Sequence, residues 1–242
     1  AGLDWEKFLG PAQMKPYSKN KFAYNWHWFW DTGNGDIGNQ GVHEMDIALW
    51  GLGHGGWPET VSSSGGKYLW KDDQETPNSQ QTSFEFGGAQ MSFDARNLPT
   101  PPEGLVPLRG PNYVGNIFFG DLGFMVVDHG GLQIYKSSAG NISGDAARGA
   151  GAGSREKYEK TLDEKGTGED TEPHMKNFFD AIRARNHKLL HAEIEIGARS
   201  AAFCHLANIA LRVGRTLKMD QSAGRFLGDD EANSMLTRNY RA

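Results

Sequence analysis

The sequence predicts an α+β fold, a large and mainly antiparallel β-sheet with helices packed on one face, carried by a single domain over residues 1–242. Three observations predict it. Six strand candidates crowd into residues 60–136, joined by connections too short for crossover helices. Long helical periodicity concentrates after residue 170. The alternating βαβα pattern of a parallel, nucleotide-binding sheet occurs nowhere, so no Rossmann domain is expected in this chain.

Residues 1–22, rich in proline, lysine and aromatics, read as a lead-in whose residues 3–11 form one helical turn stopped by Gly10-Pro11. Residues 24–30 read as strand-like, and period two would send His27 to the same side as Asn25 and Phe29. The aromatic run then breaks on glycines and re-forms as a helix carrying Asn39, His43, Asp46 and Trp50. At about 100° per residue those four fall within about one sixth of the circumference. Met45, Ala48, Leu49 and Leu52 take the opposite side and anchor the helix to a core, leaving His43 to look into a cleft.

Strands are predicted at 60–70, 79–86, 89–96, 113–119, 124–128 and 132–136. Gly87-Gly88 closes one hairpin and His129-Gly130-Gly131 another tight turn. In the first hairpin, Ser83-Phe84-Glu85-Phe86 and Met91-Ser92-Phe93-Asp94 alternate with period two, which buries one face and exposes the other. Residues 137–156, dominated by glycine, alanine and serine, read as a mobile surface loop or a lid over substrate. Helices follow at 171–185, with Met175, Phe178, Phe179 and Ile182 at helical spacing, and at about 193–215, with a Phe203, Leu206, Ala210, Val213 stripe. His205, Asn208 and Arg212 make a polar stripe on that last helix, open to a structural or a site role. Residues 224–242 form a C-terminal strap with a short helix at 230–236.

Composition narrows the partners. The net charge of -5, with 25 basic residues spread without a block, gives no electrostatic footprint for nucleic acid. No apolar stretch approaches 18 residues, which argues against a membrane partner. The single Cys204 rules out an internal disulfide and a cysteine-based zinc site.

Among the chemistry-bearing residues His43 leads, because imidazole moves protons near neutral pH. Gly33, Gly35 and Gly38 spell G-x-G-x-x-G, but no aliphatic strand precedes them and a loop follows the helix, so a phosphate-binding loop is not expected. Residues 72–77 hold an acidic knot whose carboxylates could take a raised pKa, hold a cation, or lie solvated in a turn. His43-Glu44 lacks the second histidine of a zinc helix, since position 47 is Ile47, and no metal site is expected.

The glycine break, Asn39 and His43 four apart, Asp46 three further on and the closing helix pair resemble the C-terminal domain of the glucose-fructose oxidoreductase/inositol dehydrogenase/rhizopine-catabolism (Gfo/Idh/MocA) family. Residues 5–11, 24–31, 72–77 and 208–220 look like its bacterial subgroup. The resemblance implies a fold like the C-terminal domain of glyceraldehyde-3-phosphate dehydrogenase, with the open sheet face serving a homo-oligomer contact. It implies a sugar or polyol substrate and NAD or NADP, bound mainly by an N-terminal dinucleotide-binding domain that this sequence lacks, together with that domain's Glu-Lys-Pro lysine. The chain is then expected to be a fragment or a natural single-domain relative. By the same resemblance His43 is the proton-transfer residue and Asn39 its orienting neighbour, with Asn25, His27, Asp46 and His205 as substrate contacts. Where the family pattern has Asp, this sequence has Asn39, an amide that cannot take a proton. Redox-neutral glycoside cleavage or epimerisation, assisted by NAD or a metal, and a non-catalytic carbohydrate-binding module are the alternatives.

Overall fold

The computed structural model describes residues 2–53, 56–98, 114–137, 158–166 and 171–241. It divides into two compact units, one formed by Ala1–Pro99 with Ile194–Ala242 and one by Thr100–Glu193.

The first unit holds helices α1 (Trp5–Leu9), α2 (Asp36–Asn39), α3 (Gly41–Leu52), α5 (Ile194–Val213) and α6 (Asp230–Ser234). Its strands are β1 (Thr60–Gly66), β2 (Ser79–Phe86), β3 (Ala89–Arg96), β8 (Leu217–Asp220) and β9 (Arg225–Phe226). They pair in the order β3-β2-β1-β8-β9, every pairing antiparallel. The β2–β3 register runs from Ser79↔Arg96 to Phe86↔Ala89 around Gly87-Gly88. Phe84, Phe86 and Met91 are buried with Val61 and Leu217, as the period-two pattern requires.

Two helices cover that face. Met45, Ala48 and Leu49 of α3 and Phe203, Leu206, Ala207 and Ala210 of α5 join the strand residues in one core. Phe203 is fully buried among the rings of Phe84, at 5.1 Å, and Phe86, at 6.0 Å. The alanines of α5 let its backbone lie close to the sheet, and Ser200 Oγ donates to Asp46 Oδ1 at 2.6 Å, tying α5 to α3. Cys204 is buried mid-helix, and that burial pushes its thiol up to about 12.

The second unit carries an antiparallel meander, β4 (Gly115–Gly120), β5 (Gly123–Asp128), β6 (Gly131–Ser137) and β7 (Tyr158–Lys165), and helix α4 (Thr171–Ala184). Phe124 stacks on Tyr135 at 4.6 Å across β5 and β6. On α4 the predicted apolar stripe Met175, Phe178, Phe179 and Ile182 is exposed.

The α+β class with antiparallel sheets holds, but the strands divide between two sheets rather than one. β7, β8 and β9 went unpredicted: β7 is mostly charged, and β8 and β9 span four residues and two. Beyond Ser137, the Gly/Ala/Ser stretch at 137–156 lies outside the described residues.

Candidate functional site

The predicted His43 helix is two helices. At Gln40 the ladder tightens, with His43 N–H bonding to Gln40 O at 3.1 Å, so α2 ends at Asn39 and α3 begins at Gly41. Gly41 is buried against the Phe93 ring, where an added Cβ would meet Cζ at 2.8 Å. The orientation of α3 is as expected: Met45, Ala48 and Leu49 are buried, His43 and Trp50 are exposed, and Asp46 is half-buried. The His43 imidazole makes no hydrogen bond among the described residues. Asp36 accepts from Trp28 Nε1 at 3.1 Å and Asp46 from Ser200, so neither carboxylate is engaged with His43. Burial pushes the Asp36 carboxyl above the usual range, against the opposing pull of that Trp28 bond.

Residues 24–30 are not a strand. Asn25–Trp28 forms a 3-10 turn, because the glycine loop folds back on it: Gly33 N–H reaches Phe29 O at 2.7 Å and Gly35 N–H reaches His27 O at 2.9 Å. Period two therefore fails here. Phe29 is buried, Asn25 is exposed, and the His27 ring stacks on Trp26 at 3.8 Å with Tyr24 at 4.5 Å. Asn39 Nδ2 lies 3.4 Å from the Tyr24 hydroxyl, and His27 Nδ1 bonds to Tyr24 O. Tyr24 thus brings Asn39 and His27 into one cluster.

The G-x-G-x-x-G residues do not fit a dinucleotide. A Cβ on Gly33 would lie 2.6 Å from His27 Cα, one on Gly35 would lie 2.8 Å from Thr76 Cβ, and one on Gly38 would strike the Asn34 amide. The protein's own atoms fill all three positions. The N–H groups of Gly33, Gly35 and Gly38 are spent on Phe29 O, His27 O and Gly35 O, so they are not presented to a pyrophosphate.

Beside this cluster the first unit opens a cleft of about 750 Å³. Its walls are the lead-in at Phe8 to Lys15, the stretch from Trp26 to Asn34, the α5 side chains His205, Asn208 and Arg212, and the tail from Ser234 to Tyr240. Trp26 is shared: it stacks on His27 and lines the cleft. The tail is tied to the lead-in by Arg241, which donates to Gly10 O at 2.8 Å, and by Gln13, which donates to Asn239 O at 2.8 Å.

Charge in the cleft is organised around Asp31, paired with Lys15 at 3.0 Å and Lys21 at 3.1 Å. Burial alone would raise the Asp31 pKa, but the hydrogen bonds from Lys15 and Lys21 outweigh it and hold the carboxyl below the usual range. Glu75 Oε2 accepts from Trp30 N–H at 2.8 Å. His205 keeps solvent access while its neighbours crowd it, and that desolvation, with the Arg238 charge, lowers its pKa. Arg238 donates to Asp31 O at 3.1 Å and Gly33 O at 3.4 Å, and Arg212 lies over the Trp30 ring at 5.1 Å.

Of the predicted site residues, Asn39 and His27 meet at Tyr24, Asn25 shares the turn with His27, and His205 lies in the cleft with the rest of its polar stripe. Asp46 is engaged with Ser200, and His43 is not among the cleft-lining residues. Sequence reasoning missed Arg238, Lys15 and Tyr24. Within the acidic knot Asp72 bonds Lys67 at 3.0 Å, and that bond lowers its pKa rather than raising it. Among the described residues no group of three or more His, Cys, Asp or Glu is arranged to hold a metal.

The model of the oxidoreductase family's C-terminal alpha/beta domain, of Gfo/Idh/MocA type, matches residues 1–62 and 158–242, more than half of the sequence. The chain belongs to this family. The matched segments of the family domain include α2 and α3 with Asn39 and His43, and α5 with the tail. A provisionally assigned oxidoreductase from Thermotoga maritima has the same fold, with TM-score 0.54 and 14% identity over 80% of this chain and 50% of its own. A provisionally assigned NADPH-dependent oxidoreductase from Desulfitobacterium hafniense gives TM-score 0.54 and 17% identity over 81% and 51%. The chain spans about half the length of these structures, and at such identities the likeness is one of fold. No curated protein matches the chain significantly.

Proposed function

We propose that this family domain is the substrate-binding part of an NAD(P)-dependent sugar or polyol oxidoreductase, with His43 as the proton-transfer residue. The observation that carries the reading is the amphipathic placement of α3. Its apolar side is locked into the core through Met45, Ala48 and Leu49, while His43 is left open to solvent on the other side. An exposed imidazole on a rigid helix can accept the proton of a substrate hydroxyl without reorganising its support. Asn39, one helical turn earlier, offers its amide to orient that hydroxyl, and the contact between its Nδ2 and Tyr24 leaves its oxygen free to accept.

We place the dinucleotide mainly on an N-terminal domain, as the family resemblance implies; the N–H groups of Gly33, Gly35 and Gly38 are bonded within this chain, in keeping with that reading. What this chain supplies is binding and the proton. The nicotinamide dependence given for the Desulfitobacterium hafniense protein supports the redox assignment.

The test follows nicotinamide reduction spectrophotometrically over a panel of sugars and polyols, using the protein as its gene encodes it, in wild type and His43→Ala. Loss of a general acid/base is expected to lower turnover by about 10²- to 10⁴-fold. Undiminished turnover in the variant removes His43 from the mechanism.

A further inference from the structure

The cleft of the first unit has a chemistry of its own that the redox reading does not use. Three cations line it, Lys15, Arg212 and Arg238, against two carboxylates, Asp31 and Glu75. Both carboxylates are already satisfied, Asp31 by two lysines and Glu75 by the Trp30 N–H. The arginines are not. The Arg212 guanidinium makes no hydrogen bond or ion pair among the described residues, and its central carbon lies 5.1 Å from the Trp30 ring centre, a cation–π contact that leaves its N–H donors without a protein acceptor. Arg238 donates to two backbone carbonyls, and a guanidinium has five N–H donors. A forked donor with free N–H groups matches the two oxygens of a carboxylate.

The remaining lining narrows the ligand. The lining carries an excess of positive charge, to which Lys21 adds from behind Asp31, so the cleft suits an anion. Trp26 presents indole surface to the cleft, and Asn208, 4% exposed, donates to Asn34 O at 2.7 Å while its buried Oδ1 has no protein partner. An indole beside amide and imidazole groups is what a polyhydroxylated ring or chain requires of its site.

We infer that this cleft binds a sugar acid, a polyhydroxylated molecule with one carboxylate, and that Arg212 with Arg238 receives the carboxylate. The site is read without any cofactor, so it stands or falls independently of the assignment of His43.

The experiment is calorimetric titration of the 242-residue chain with D-galacturonate, D-gluconate, D-galactose and inorganic phosphate, in wild type, Arg212→Gln and Arg212→Lys. At least one of the two sugar acids binds, with neutral D-galactose weaker by about 10-fold or more, in keeping with a charge-assisted pair. Arg212→Gln weakens sugar-acid binding about 10- to 100-fold. Arg212→Lys, which keeps the charge and loses the fork, falls between. Arg212 is exposed on α5, and circular dichroism checks that both variants fold. Equal affinity for D-galactose, preference for phosphate, no heat with either sugar acid at millimolar concentration, or indifference to both substitutions overturns the proposal.

Discussion

Substituting Gly33 by alanine isolates how the glycine loop builds the wall shared by the Tyr24 cluster and the cleft. A Cβ on Gly33 would lie 2.6 Å from His27 Cα and closer still to the His27 carbonyl, whereas real Cβ contacts essentially never fall below 3.0 Å. The 3-10 turn must therefore retreat by at least about 0.4 Å, and the obstacle is backbone, which cannot rotate away as a side chain can. Overpacking of this kind costs about 3 kcal/mol, the upper part of its usual range. Gly53→Ala is the matched control: its φ of 63° penalises a side chain, but nothing lies within 4 Å of the new Cβ. Left-handed strain alone costs about 1 kcal/mol. For a chain of this size the melting temperature should fall by about 6–12 °C for Gly33→Ala and about 2–4 °C for Gly53→Ala. Only the first should also change the near-ultraviolet circular dichroism of the tryptophans at 26, 28 and 30. If the two variants melt together, or Gly33→Ala leaves the tryptophan signal untouched, the packing argument is wrong.

Phe203→Ala removes a fully buried ring in contact with Phe84 and Phe86 and should destabilise by about 3–5 kcal/mol, read as a lower urea midpoint with an unchanged slope. The pH dependence of that midpoint should show two limbs. His205 has a folded pKa below its ordinary 6.5, so the unfolded chain takes the proton first and stability declines as pH falls from about 6.5 toward the folded value; His205→Gln should abolish this limb. Asp31 has a folded pKa below 3.8, so its contribution is complete above that value and is lost as pH falls through the folded pKa; Asp31→Asn should shrink this second limb, to which Asp72, Asp180, Asp220 and Asp229 also contribute.

The elements legible in the sequence were those whose pattern repeats. Phe84 and Phe86 alternate with polar neighbours over a whole strand, and His205, Asn208 and Arg212 recur at helical spacing, so hairpin and stripe could be placed before their partners were known. The 3-10 turn was hidden because residues 24–30 are aromatic enough to pass for a strand, and what bends them is a pair of hydrogen bonds from Gly33 and Gly35. Arg238 was invisible for a different reason. Its role depends on carbonyls of Asp31 and Gly33 about two hundred positions earlier, and no local periodicity announces a contact of that range. Next to the break at Gln40, Gly41 likewise meets Phe93 of another element, a contact that no local pattern announces.

The stitching of Gln13 to Asn239, 226 positions apart, and of Arg241 to Gly10 has a consequence for biosynthesis. A nascent polypeptide can fold its first hairpin and turn long before translation is finished, yet the hollow lined by Phe8 and Tyr240 has no far wall until the residues near 240 leave the ribosome. The hollow is therefore among the last features of this unit to take shape, because its two walls lie more than two hundred positions apart in the order of synthesis.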